Sequence, residues 1–131
     1  MTIVWNDNLI TGISVIDEQH QLLFSTINKL GKLTKNKVGF LEVLIELHTY
    51  VSVHFSTEEE YMVYARYPEY DGHKAAHDKF VSDYKAILKK AKDVNDITEL
   101  GPDLVALVEA WIQKHYTDED VKMAKFINES R

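Results

Sequence analysis

Apolar residues recur at spacings of three and four along most of this chain, the period of helices with one buried face. Ile16, His20, Leu23, Phe24, Ile27 and Leu30 share the first such face, which opens near Asp17, a residue type suited to capping. The stripe fades over a polar, basic stretch at 31–37. From about Gly39, the residues Phe40, Leu44, Leu47, Val51, His54, Glu58 and Tyr61 follow at spacings of 4, 3, 4, 3, 4 and 3. This second helix ends before Pro68, which disfavours helix in the residue preceding it. A third is expected over about 69–93, facing inward through His73, Ala76, His77, Phe80, Tyr84, Ile87, Leu88 and Ala91. A polar link leads to Pro102, which suits the first turn of a fourth helix carrying Leu104, Leu107, Val108, Trp111 and His115. A short last helix is expected over 118–127, with Asp118 as its cap and Met123 and Phe126 or Ile127 inward. Residues 1–15 read as an irregular arm packed down by Trp5, Leu9, Ile13 and Val15. The pattern predicts an all-α fold: an antiparallel up-down-up-down four-helix bundle with an irregular N-terminal arm and a short C-terminal helix, one domain over 1–131.

Composition agrees. Only 5 Gly and 2 Pro punctuate 131 residues, and 45% hydrophobic with 27% charged residues is ordinary globular usage. Cysteine is absent, which excludes disulfides, thiolate zinc sites, iron–sulfur clusters and Cys nucleophiles. A formal charge of −6, with no basic stripe, argues against nucleic acid as a partner. No uninterrupted apolar run approaches the ~20 residues of a membrane span. The opening Met1-Thr2-Ile3-Val4-Trp5-Asn6-Asp7 lacks a basic region followed by an apolar stretch, so a cytoplasmic location is expected. No Gly-x-Ser-x-Gly, phosphate-binding glycine loop or His-Glu-x-x-His is present.

The unusual feature lies inside the seams. Five of the six histidines, His20, His54, His73, His77 and His115, occupy positions where apolar residues belong, and the carboxylates Glu58 and Asp120 accompany them. Burying such groups is costly without compensation. A metal held between facing helices supplies it. His54/Glu58 and His73/His77 are i, i+4 pairs on one face. His115 and Asp120 are five apart, about 140° off on a straight helix at ~100° per residue, so the fourth helix is expected to end or unwind between Tyr116 and Asp120. His48 lies off the His54 seam and is expected at the surface or behind the ligands. In the acidic runs, Glu58 and Asp120 are expected inward and Glu59, Glu60 and Glu119 in solvent. Seven side chains exceed the three or four of a typical zinc site and suggest paired metals. Two octahedral irons need twelve donor positions. Five imidazoles, two bridging carboxylates and one bridging oxide or hydroxide supply eleven, leaving one vacancy for a small molecule.

The set His20, His54-Phe-Ser-Thr-Glu58, His73-Lys-Ala-Ala-His77 and His115-Tyr-Thr-Asp-Glu-Asp120 resembles the hemerythrin family, specifically its single-domain bacterial members. The flanks agree: Gly12-Ile13, then Ile16-Asp17-Glu18-Gln19-His20, and Trp111-Ile112-Gln113-Lys114-His115. The resemblance spans nearly the whole chain and implies two iron ions. One is held by His73, His77 and His115; the other, by His20 and His54, keeps the vacancy; Glu58 and Asp120 bridge. It implies reversible dioxygen binding for storage, transport or delivery, in a pocket lined by Leu23, Phe24, Ile27, Phe55, Trp111 and Ile112. Tyr116 stands where the family commonly has Ile, which bears on oxygen affinity and on the rate of irreversible oxidation.

The chain is therefore read as a binding protein rather than an enzyme, a monomer whose partner is dioxygen. Two other classes remain open: a di-iron oxidase or hydroxylase, and an iron store or an oxygen, nitric oxide or redox sensor. No histidine has Glu three residues ahead of it, unlike the carboxylate-rich oxygen-activating bundles.

Overall fold

The computed structural model describes residues 5, 7–32 and 36–130. The rest of the expected arm, 1–4 and 6, residues 33–35 of the basic stretch and residue 131 lie outside the described residues. A 3₁₀ turn at Asp7–Leu9 precedes α1 (Ser14–Lys32), α2 (Lys37–Ala65) and α3 (Tyr70–Lys89). Two 3₁₀ turns, Lys90–Asp93 and Ile97–Leu100, lead to α4 (Gly101–Trp111). A π-helical segment, Ile112–Asp120, then joins α4 to α5 (Val121–Glu129) without a break. Among the described residues there is no strand. α1 packs on α2 and α4, and α3 packs on the same two, so the helices close a ring about one axis, the expected all-α bundle.

The ends follow from local chemistry. α1 starts at Ser14, three residues earlier than expected. Asp17 does not cap it from outside; from within the first turn it takes the amides of Thr11 (2.8 Å) and Gly12 (3.2 Å) and the Thr11 hydroxyl (2.8 Å). Gly12 sits at φ +79°, and a Cβ there would meet Asn128 Nδ2 at 3.1 Å. That amide donates to the Thr11 carbonyl (2.9 Å), tying α5 to the start of α1. Gly12→Ala is expected to lower stability by about 1–2 kcal/mol, read as a lower melting temperature. An unchanged melt would show that this turn accepts a side chain.

α2 begins at Lys37 because Asn36 caps it, its Oδ1 accepting from the Gly39 amide (3.0 Å). It ends where Arg66 turns left-handed (φ 57°), just ahead of Pro68. Before α4, Asp96 and Glu99 form a capping box, Asp96 taking the Thr98 amide (3.0 Å) and Glu99 the Asp96 amide (2.9 Å). The last helix needs no cap at Asp118, contrary to expectation, because the backbone runs into it helically from the π segment.

α2 is long and apolar enough to cross a membrane, with a mean hydropathy of 1.2 over its best window. Its inner face supplies part of this, with Phe40, Val43, Leu44, Leu47, Tyr50, Val51, Phe55 and Met62 in the core and His54 and Glu58 buried among them, and the exposed Val38, Leu41, Ile45, Val53 and Val63 supply the rest. Met62, rather than the half-buried Tyr61, continues the seam.

The core has two parts. The larger includes Leu23, Phe24, Ile27, Leu47, Val51, Phe80, Leu104, Val108 and Ile112; the smaller contains Ile13, Ile16, Met62, Tyr67, Met123 and Ile127. Three stretches of the chain pass from one to the other through histidines or acids: Ile16 to Leu23 spans His20, Val51 to Met62 spans His54 and Glu58, and Ile112 to Met123 spans His115 and Asp120. The polar cluster is a layer between two dry ones.

Candidate metal centre

His20, His54, Glu58, His73, His77, His115 and Asp120 all converge in that layer, none more than 4% exposed. They form two overlapping groups. Glu58, His73, His77, His115 and Asp120 make one; His20, His54, Glu58 and Asp120 make the other. In each, one ligand atom per residue lies within 4.8 Å of the rest.

The carboxylates divide their oxygens between the groups. Glu58 Oε1 stands 3.2 Å from His73 Nε2, 3.0 Å from His77 Nε2 and 4.0 Å from His115 Nε2, while its Oε2 stands 3.1 Å from His54 and 3.5 Å from His20. Asp120 Oδ1 faces His115 (2.7 Å) and His73 (3.2 Å), and its Oδ2 faces His20 (3.2 Å). The Nε2 atoms of His20 and His54 point at each other across 3.1 Å.

Asp120 reaches this point without any unwinding. The helix widens instead: in a π segment each residue bonds five back, so His115 and Asp120 fall one turn apart on one face. The 140° mismatch of a straight α-helix disappears.

Burial and the facing charges act in opposite directions on the cluster's titratable groups. Burial alone would lower the His20, His73 and His115 pKa values, but the facing carboxylates of Asp120 and Glu58 outweigh it and raise each to about 9. His54, where burial dominates, is lowered. Glu58 and Asp120 are fully buried, which opposes ionisation, yet the facing imidazoles hold both below the usual carboxylate range. Even so, Glu58 Oε2, both Asp120 oxygens and His115 Nε2 lack a hydrogen-bond partner. Buried polar atoms left unpaired around a common point are what cations satisfy. Imidazole with carboxylate suits paired transition metals such as iron.

An outer layer aims the imidazoles. His54 Nδ1 bonds Gln19 Oε1 (2.8 Å), and Gln19 is held in turn by Thr57 (3.3 Å). His77 Nδ1 bonds Glu59 Oε2 (2.9 Å), and His115 Nδ1 lies 2.7 Å from Glu119 Oε2. The Gln19 and Glu59 bonds hold the proton on Nδ1 of His54 and His77 and present their Nε2 atoms to the centre, whereas Glu119 meets His115 as a charge contact without hydrogen-bond geometry. Glu59 and Glu119 are thus half-buried supports, not the solvated charges expected from the acidic runs. The signal was present, since Glu119 is four residues after His115. His48 is exposed, as expected, and its ring meets only Tyr84 among the described rings, 6.4 Å away. His48→Ala is therefore expected to leave metal content and optical spectrum unchanged; a lost spectrum would place it in the site.

Of the apolar residues expected around the centre, two meet its imidazoles face to face. Phe55 stacks flat on His77 (4.0 Å between centroids) and Trp111 on His115 (3.8 Å). Leu23, Phe24, Ile27 and Ile112 belong to the larger core, Phe24 lying 6.1 Å from Tyr116. Tyr116 stacks on His20 (3.9 Å) and shares a hydrogen bond with Tyr50, whose ring stacks on His54 (4.9 Å). Tyr50 was not singled out from the sequence, although it sits four residues before His54.

Comparison with known proteins agrees with this arrangement. The hemerythrin HHE cation binding domain matches residues 11–127. A bacteriohemerythrin of Clostridium acetobutylicum is 31% identical over 89% of this chain and 95% of its own length. One of Campylobacter jejuni is 34% identical over 95% of this chain and 96% of its own, and one of Pseudomonas aeruginosa 35% identical over 90% and 76%. With the cation-binding domain matched from the Thr11 turn to the last helix, the chain belongs to the hemerythrin family of di-iron proteins.

Proposed function

We propose that this protein binds dioxygen reversibly at its di-iron centre, for storage, transport or delivery, and does not turn it over. In this reading His73, His77 and His115 hold one iron, His20 and His54 hold the other, and Glu58 and Asp120 bridge. The division of each carboxylate's two oxygens between the groups carries the reading: it leaves five donors on one side and four on the other. The side of His20 and His54 therefore keeps the open position.

The iron pair, when bound, supplies the electrons that dioxygen takes up on binding and returns on leaving. The chain's own residues do the rest. Five neutral imidazoles against two carboxylates favour the reduced metals more than a carboxylate-rich site does, and so favour release over cleavage of oxygen. Leu23, Phe24, Ile27 and Ile112, with Tyr116, wall the four-donor side and keep water out, while Phe55 and Trp111 wall the other. Glu59 holds His77 in place by a hydrogen bond, and the charge of Glu119 lies against His115.

The test is a cycle of reduction, air and vacuum on the iron-loaded protein. Carriage of oxygen produces a charge-transfer absorption in air that vacuum removes, over repeated cycles. Direct conversion to the fully oxidised form, with oxygen consumed on each round of reductant, would overturn the proposal in favour of an oxidase.

A further inference from the structure

Two phenols flank the four-donor group, and their hydrogens do not balance. Tyr50 and Tyr116 are fully buried, each stacked on an imidazole of that group, and their hydroxyls bond each other. A neutral phenol carries one hydrogen to donate, so the pair brings two. Their mutual bond consumes one. Among the described residues no second partner stands within hydrogen-bond reach of either oxygen. A buried donor without an acceptor is costly, and such groups persist where a ligand completes them.

We propose that Tyr50 and Tyr116 form a donor relay that selects hydrogen-bond-accepting small ligands at the open position beside His20 and His54. The inference rests on the reading of the site given above and extends it. Tyr116 is the terminal donor, because its ring contacts both His20 (3.9 Å) and His54 (6.5 Å), whereas Tyr50 contacts His54 alone. Either hydroxyl can donate in their mutual bond, and in the relay Tyr50 takes the donor role when a ligand enters, which turns the Tyr116 hydrogen towards the ligand and polarises it. Tyr50 is thus a positioning residue. A wholly apolar wall would take ligands by size alone; this one favours those that carry negative charge once bound.

The probe is azide, a small anion that accepts hydrogen bonds, added to the oxidised, iron-loaded protein. Tyr116→Phe is expected to weaken azide ~10- to 100-fold, the range for a hydrogen bond to a charged acceptor. Tyr50→Phe is expected to weaken it severalfold, and Tyr84→Phe, a buried phenol away from the centre, not at all. Tyr116→Phe with full iron and wild-type azide affinity would overturn the relay while leaving the oxygen reading intact. A wild type that takes up no iron, or loads iron and binds no azide, would overturn that reading and the relay with it. A second measurement does not depend on variants that fold. In ultraviolet resonance Raman, the tyrosine hydrogen-bond marker is expected to shift when azide joins the loaded wild type and not the metal-free one; an unmoved marker overturns the relay.

Discussion

Glu58→Ala is expected to strip most of the iron from the protein and to destabilise what remains. Among the described residues Glu58 is the one carboxylate within 4.0 Å of all five imidazoles, through Oε1 on one side and Oε2 on the other. Removing it takes a donor from both metals at once. In the metal-free protein it also removes one of two buried anions that hold His20, His73 and His115 protonated. Losing one partner of a buried ion pair costs roughly 3–5 kcal/mol, reduced here as the imidazoles shed protons. Iron analysis and thermal melting read the two effects separately. Glu58→Gln keeps the volume and removes the charge, so it should lose iron almost as fully while disturbing the packing less. Full iron loading of the Ala variant would refute a bridging role.

Chelating the metal is expected to lower the melting temperature by about 10 °C or more, from a binding contribution of about 4 kcal/mol at a thousandfold excess over the dissociation constant. The gap between the loaded and metal-free proteins should widen as pH rises. His20, His73 and His115 titrate at about 9 when folded against 6.5 when free. Their protonated pairing therefore supports the metal-free fold fully below pH 6.5, loses force as pH rises, and vanishes above about 9. Glu58 and Asp120, depressed in the fold, act oppositely: their support is present above the carboxylate range and is lost on acidification. In the loaded protein metal ions take the place of the protons, so this alkaline loss does not occur. Melts of both forms from pH 6.5 to 9 check this, and a constant gap would show that the imidazoles carry no such protons.

The helices and the seven inward donors were legible because His20, His54, Glu58, His73, His77 and His115 keep the three-and-four rhythm of their apolar neighbours. Asp120 was legible only as a misfit, and unwinding was the wrong resolution, since a single angle per residue admits no π turn. Asp17 as a cap at the start of α1 misled for a similar reason: a carboxylate can satisfy loop amides from inside the helix as well as from its edge. Glu59 and Glu119 were hidden in acidic runs, where solvent is the default partner of each charge. Tyr50 was passed over because Leu47 and Val51 already completed the seam on either side of it.

The wide turn at Ile112–Asp120 has a consequence for how this protein reports its own state. It carries His115 at one edge of a turn and Asp120 at the other, so grasping ions between them holds the backbone in a conformation that an unliganded peptide avoids. Filling the centre and keeping that register are then a single equilibrium. Deuterium uptake by the amides of 112–120 should slow sharply on loading while distant turns of α2 change little, which makes the last helix a gauge of occupancy that needs no colour from the metal.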